Sequence, residues 1–138
     1  MAPNFDIVLL YWGTILWNVG REEEAVSILR KTLRLNPRPM NTYLRSLGSA
    51  LRECGQYEEA IACLKKAVER EPDDFHSQVL LAATYSMAGR EEAAHATAKE
   101  VLRLKPKFAI EGFMKLLPLR DPTRRERLSK ALNEAGLK

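Results

Sequence analysis

The sequence predicts an all-α protein: a right-handed superhelical stack of three helix-turn-helix hairpins, closed by C-terminal capping helices. Three observations carry this. Small and helix-breaking residues recur at a fixed interval, with Gly20, Gly55 and Gly89 spaced by 35 and 34 residues. Ala25, Ala60 and Ala94 keep the same two intervals, and so do Pro37, Pro72 and Pro106. Between these markers the apolar residues follow helical spacing, as in Leu44, Leu47 and Leu51. A period in this range is that of stacked supersecondary units, each unable to bury its apolar side alone.

Each unit reads as helix, tight turn, helix. The first helix ends at a glycine, which can take the left-handed conformation. Acidic residues follow at once: Glu22, Glu23 and Glu24, then Glu58 and Glu59, then Glu91 and Glu92. They favour a new helix N-terminus, which carries partial positive charge. In the second unit the second helix runs through Ile61, Leu64 and Val68 and ends near Pro72. Gly48 and Ala60 are expected where two helices approach closely. The chain reads as one domain over residues 1–138, with units at 6–39, 41–74 and 75–108 and one inserted residue near Met40.

The pattern resembles the tetratricopeptide repeat. The second unit carries that family's signature as Leu44, Leu47, Gly48, Leu51, Tyr57, Ala60, Leu64, Ala67 and Pro72. The first reads Leu9, Trp12, Gly13, Leu16, Ala25, Leu29, Thr32 and Pro37, and the third, more loosely, Leu81, Ala82, Tyr85, Gly89, Ala94, Ala98, Val101 and Pro106.

Residues 109–138 do not repeat. Ala109 to Leu117 is expected to be helical and stopped by Pro118. Asp121 reads as an N-cap with Pro122 in the first helical position. The last helix shows Leu128, Ala131, Leu132 and Ala135 on one face, Arg124, Arg125 and Lys138 on the other, and Gly136 as its stop. This is the expected form of a solenoid cap. The ending, with Asp121, Pro122, Ala135, Gly136 and Leu137, resembles the close of the tetratricopeptide regions attached to bacterial class III adenylate cyclases and related signalling proteins. That likeness implies ancestry, carried by packing motifs.

Composition bounds the function. The chain holds 22 Lys and Arg against 18 Asp and Glu, with the basic excess confined to residues 99–138. Lys99, Arg103, Lys105, Lys107 and the Arg124 helix are read as a solvated basic face, and nucleic acid is not an expected partner. Two cysteines, Cys54 and Cys63, make neither a disulfide framework nor a metal site and fit a reducing, cytoplasmic compartment. The apolar start, MAPNFDIVLLYWGTILW, lacks a basic leader and is shorter than the roughly 20 apolar residues of a membrane span, so it reads as a buried helix. No phosphate-binding glycine loop, HExxH or metal-spaced Cys/His cluster occurs. His76 and His95 fall on different predicted helices. No catalytic residue, metal or cofactor is expected.

The family resemblance implies a concave groove lined by the first helices, holding an extended peptide or a partner helix. The corresponding positions are Ile7, Leu10, Thr14 and Trp17 in the first unit, Thr42, Arg45, Ser49 and Arg52 in the second, and His76, Val79, Ala83 and Ser86 in the third. Tyr11, Asn18, Glu53 and Met87 flank them. Some family members grip a terminal carboxylate with Lys, Asn, Asn, Lys and Arg. Those positions here are Leu10, Thr14, Ser46, His76 and Leu80, none of which agrees, so that clamp is not expected. Arg45 and Arg52 lie two turns apart on one helix face, free to pair with acidic groups of a ligand or, for Arg52, with a nearby Glu. Trp17 is either an interface anchor or internally packed. The first helix is apolar almost all round, where a terminal repeat usually presents a polar face. Either an upstream segment or a second copy of the chain is expected to cover it.

Overall fold

Gly55 sits at φ +78°, a left-handed geometry open to glycine at little cost, and Gly20 and Gly89 repeat it at +88° and +78°. In each turn the residue after the glycine donates its N–H back to a carbonyl five residues earlier, as Gln56 does to Leu51 at 2.9 Å. The first helix thereby stops and the chain reverses. The computed structural model describes residues 5–36, 40–117 and 119–138. Pro37, Arg38, Pro39 and Pro118 lie outside them, and with them the expected stops at Pro37 and Pro118.

Three hairpins result. The first pairs α1 (Phe5–Asn18) with α2 (Glu22–Leu35) and the second α3 (Asn41–Glu53) with α4 (Tyr57–Arg70). The third pairs α5 (Phe75–Met87) with α6 (Glu91–Leu104), and the shorter α7 (Ile110–Leu116) and α8 (Pro122–Glu134) follow. Among the described residues all regular structure is helical. The acidic residues after each glycine do occupy the first turns of α2, α4 and α6.

Within a hairpin the two helices meet where a small residue faces a larger one. A Cβ added at Gly48 would lie 2.9 Å from Leu64 Cγ, and at Gly13 only 2.7 Å from Leu29 Cγ. Leu29 and Leu64 are essentially fully buried. The third hairpin puts Ala82 and Ala98 at the same two positions.

Between hairpins, α3 packs on α2 and α5 on α4. Asp74 is the joint between the second and third. It caps α5 through the Ser77 N–H at 3.3 Å and accepts from Ser77 Oγ at 2.6 Å. It also accepts from Asn41 Nδ2 at 3.0 Å and Arg45 Nη1 at 2.8 Å. Burial alone would raise the Asp74 pKa, but the Ser77 and Asn41 hydrogen bonds and the Arg45 charge outweigh it and hold the carboxyl below its ordinary value. On the outer surface Arg30 pairs with Glu59 and Arg90 with Glu58, exposed bridges between units worth little each.

The C-terminal segment departs from a simple end cap. Its start and finish are tied by the Ile110 N–H donating to the Lys138 carbonyl at 2.9 Å, and Glu134 O meets His95 Nε2 of α6 at 3.1 Å. From there α8 crosses α5 toward the first unit, where Arg124 donates to the Trp17 carbonyl at 3.3 Å and pairs with Glu22. The arginines expected on its outer face are therefore turned inward. Arg125 ties down the preceding loop by donating to the Leu119 and Met114 carbonyls, both at 2.7 Å. Asp121 does cap α8, accepting from the Thr123 N–H at 2.9 Å.

Two predictions follow from this packing. Gly48→Ala should lose about 1–3 kcal/mol in urea unfolding, whereas Gly112→Ala, where an added Cβ meets nothing within 4 Å, should lose nothing. Asp74→Asn should lose about 1–3 kcal/mol at neutral pH. Because the folded carboxyl pKa is depressed, that stabilisation is present above the unfolded value of about 3.9 and is lost as pH falls through the folded one. The gap between wild type and Asp74→Asn should accordingly hold at pH 5–7 and close under acid, in unfolding curves measured across that range.

Candidate functional site

The first helices of the three units line an inner face, and the C-terminal segment lies across it. Between them remains a cavity of about 260 Å³. Its floor comes from α1 and α3 with the start of α5, and its roof from Leu116, Leu117, Leu119 and Leu128. The wall is largely apolar, with a few polar groups set into it, which is the usual make-up of a ligand site.

The cavity brings together eight of the positions expected in the groove: Leu10, Thr14, Trp17, Thr42, Arg45, Ser49, Arg52 and His76. Val79, Ala83 and Ser86 do not line it. Val79 and Ala83 are wholly buried on α5, the helix that α8 crosses, and Ser86 is half-buried. Ile7 is exposed.

Thr14, Arg45 and His76 have partners within the protein. Thr14 Oγ1 donates to the Leu10 carbonyl at 2.8 Å and shares a 3.1 Å hydrogen bond with Ser46 Oγ. Arg45 is held by Asp74 and reaches the Thr42 hydroxyl at 3.3 Å. His76 packs edge-on against Phe113 with ring centres 5.2 Å apart. Burial and the Arg45 charge pull the His76 pKa down against the opposing effect of Asp74, so the imidazole is neutral at pH 7.

Arg52 takes the internal of the two arrangements left open by the sequence. Its side chain is 1% exposed and donates through Nη2 to Glu53 Oε1 at 3.3 Å. Nε and Nη1 have no hydrogen-bond partner, and neither has the indole Nε1 of Trp17. An unsatisfied buried donor costs about 1–3 kcal/mol, so these three donor nitrogens are the most unusual feature of the site. Trp17 itself is packed inside, at 6% exposure, instead of standing at the edge of an open groove. Glu53 is equally buried and lies 3.9 Å from both Arg124 and Arg127.

The roof is what the sequence reading missed. Its signal is the apolar excess in FMKLLPL, residues 113–119, which exceeds what one face of a short helix can bury. Met114 and Leu119 face inward, while Leu116 stands 81% exposed at the rim.

Cys54 and Cys63 are both free. Burial and nearby carboxylates raise both thiols, Cys63 to about 11, so neither is a thiolate nucleophile at neutral pH. Among the described residues no group of three His, Cys, Asp or Glu side chains is placed to hold a metal ion. Among them, too, no helix is long and apolar enough to cross a membrane.

Comparison with known proteins agrees with this architecture. No curated protein matches the chain. Solved structures resemble it over nearly its whole length. MamA from Desulfovibrio magneticus RS-1 is 23% identical with a TM-score of 0.71, over 96% of this chain and 72% of that one. PcrH of Pseudomonas aeruginosa, solved in complex with the chaperone binding region of PopB, is 14% identical with a TM-score of 0.71, over 97% of each chain. The first tetratricopeptide domain of Spaghetti (RPAP3), bound to the HSP90 peptide SRMEEVD, is 17% identical with a TM-score of 0.71, over 96% of this chain and 97% of that one. Family models of the tetratricopeptide repeat match residues 39–107 and 13–39. With the hairpins, the turn glycines and the small-residue contacts all in register with those matches, the chain belongs to the tetratricopeptide repeat family.

Proposed function

We propose that the chain is a non-catalytic protein-interaction module, a scaffold or adaptor that receives a peptide or partner helix on its inner face. The observation that carries this is the roofed apolar cavity between α1, α3 and the C-terminal segment. The PcrH and Spaghetti structures support it, since each was solved with a bound segment of another protein. The accessible rim is Tyr11 at 65% exposure, Thr42, and Leu116 at 81%. These residues, and not the buried Trp17 and Arg52, are the ones a partner meets first. The free cysteines fit a reducing, cytoplasmic setting.

A second reading rests on α1. Val8, Trp12, Ile15 and Val19 are 59%, 49%, 53% and 64% exposed and share one helix face. In the second unit the same repeat positions hold Tyr43, Leu47 and Ala50 of α3 and then Cys54, and in the third Ser77, Leu81 and Thr84 of α5 and then Ala88. There the first three of each set are buried, on helices that pack against the second helix of the preceding unit. The α1 face is thus built for a neighbour of the same kind. A second copy of the chain meets that need, making this a self-associating region of a bacterial signalling protein such as an adenylate cyclase. The Asp121-Pro122 cap and the Ala135-Gly136-Leu137 ending, with Leu137 buried, support that ancestry.

Two measurements separate the readings. Affinity capture from the source lysate with wild type and with a Tyr11→Arg, Thr42→Arg, Leu116→Arg variant should yield a partner that the variant loses at least ten-fold; equal recovery by both would remove the groove from the account. Sedimentation across a hundred-fold range of concentration should show a monomer–dimer equilibrium that Trp12→Glu with Ile15→Glu abolishes, and a monomer at every concentration would exclude self-association.

A further inference from the structure

Successive units place equivalent residues side by side on their first helices. Trp17 and Arg52 are 35 residues apart, one full period, and both line the cavity. Arg52 donates to Glu53 through Nη2 alone. Its Nε and Nη1 donors, and the Trp17 Nε1 donor, have no acceptor. The same cavity is lined by hydrocarbon from Leu10, Leu80, Leu119 and Leu128. A buried guanidinium with two of its three nitrogens unpaired, in the wall of an apolar chamber that Trp17 also lines, is a receptor for an anion with an apolar body. A carboxylate suits such donors best, since its two oxygens accept separate charge-assisted hydrogen bonds. The chamber holds about 260 Å³, the liquid volume of roughly nine water molecules. That admits a short chain and excludes a bulky ring system.

We propose that this cavity binds a carboxylate carried on a short apolar chain, the acid group meeting the free donors of Arg52 and Trp17 and the chain lying along Leu10, Leu80 and Leu119. The position differs from the family's carboxylate clamp, whose equivalents here are Leu10, Thr14, Ser46, His76 and Leu80. The site does not rest on the peptide-groove reading, because it needs only the cavity and no extended groove. The acid has two natural sources, a small amphipathic molecule or an acidic side chain flanked by leucines in a peptide.

Calorimetry on the intact chain at pH 7 tests this with octanoate, octanol and octylamine, and with the peptide acetyl-Leu-Leu-Glu-Leu-amide. Octanoate should bind saturably and at least ten-fold tighter than octanol, with no heat from octylamine. Arg52→Met should weaken octanoate at least ten-fold. That variant keeps the stem volume, and Glu53 retains Arg124 and Arg127 nearby. If its circular dichroism shows that it does not fold, Trp17→Phe, which deletes the indole donor, should cost several-fold by itself. Binding of the peptide with the same Arg52 dependence, in place of octanoate, assigns the acid to a partner protein and supports the same site. Equal affinity for octanoate and octanol, no effect of either substitution, or no binding of either acid probe overturns the proposal.

Discussion

The approach of the two helices in each hairpin is the constraint on which everything else depends. Gly13 lets Leu29 lie directly on the backbone of α1, and Gly48 does the same for Leu64. That contact sets the interhelical distance, and the distance sets how the next hairpin seats. In the third unit the balance shifts to Ala82 against Ala98, sharing the volume between both sides. Close packing makes such a joint intolerant of even one extra methyl group, which is why the period survives where the rest of the sequence drifts.

The inner face created by this stacking is finished by the chain's own last helix. Two buried charges, Arg52 and Glu53, sit under it, and Arg124 arrives from α8 to share Glu22 and approach Glu53. Buried ion pairs contribute little net stability but strongly penalise wrong arrangements, since each charge left alone is costly. Here the pairing fixes where α8 comes to rest. It also leaves Nε and Nη1 of Arg52 without an acceptor.

The hairpins were legible because their signals are local. Turn glycines, first-turn acids and small residues act within a few positions, and the repeat triples each signal. Leu10, Thr14, Arg45 and His76, which line the cavity, were carried over from the family resemblance by repeat register. The placement of α8 was not legible. An amphipathic helix such as 122–134 states that it must bury Leu128, Ala131 and Leu132, but not against which surface. Arg124 and Arg125 read as solvent-facing because carbonyl partners at Trp17, Met114 and Leu119 leave no trace in sequence. Arg52 read equally well as ligand-facing or internal, since the adjacent Glu53 reveals itself as a partner only once α8 excludes water from both.

The bridge from Arg124 to the Trp17 carbonyl spans 107 positions of sequence. Open repeat arrays behave as one-dimensional chains in which each unit touches only its neighbours and an end can fray while the rest persists. Here the last helix is fastened to the first hairpin, so the two ends of the array share a contact. Opening one end removes a contact of the other, so the three units are expected to unfold more nearly together than an open array would. The same long-range closure has its own kinetic signature: the local hairpins form quickly, and the docking of α8 across them, with its large loop entropy, becomes the late step of folding.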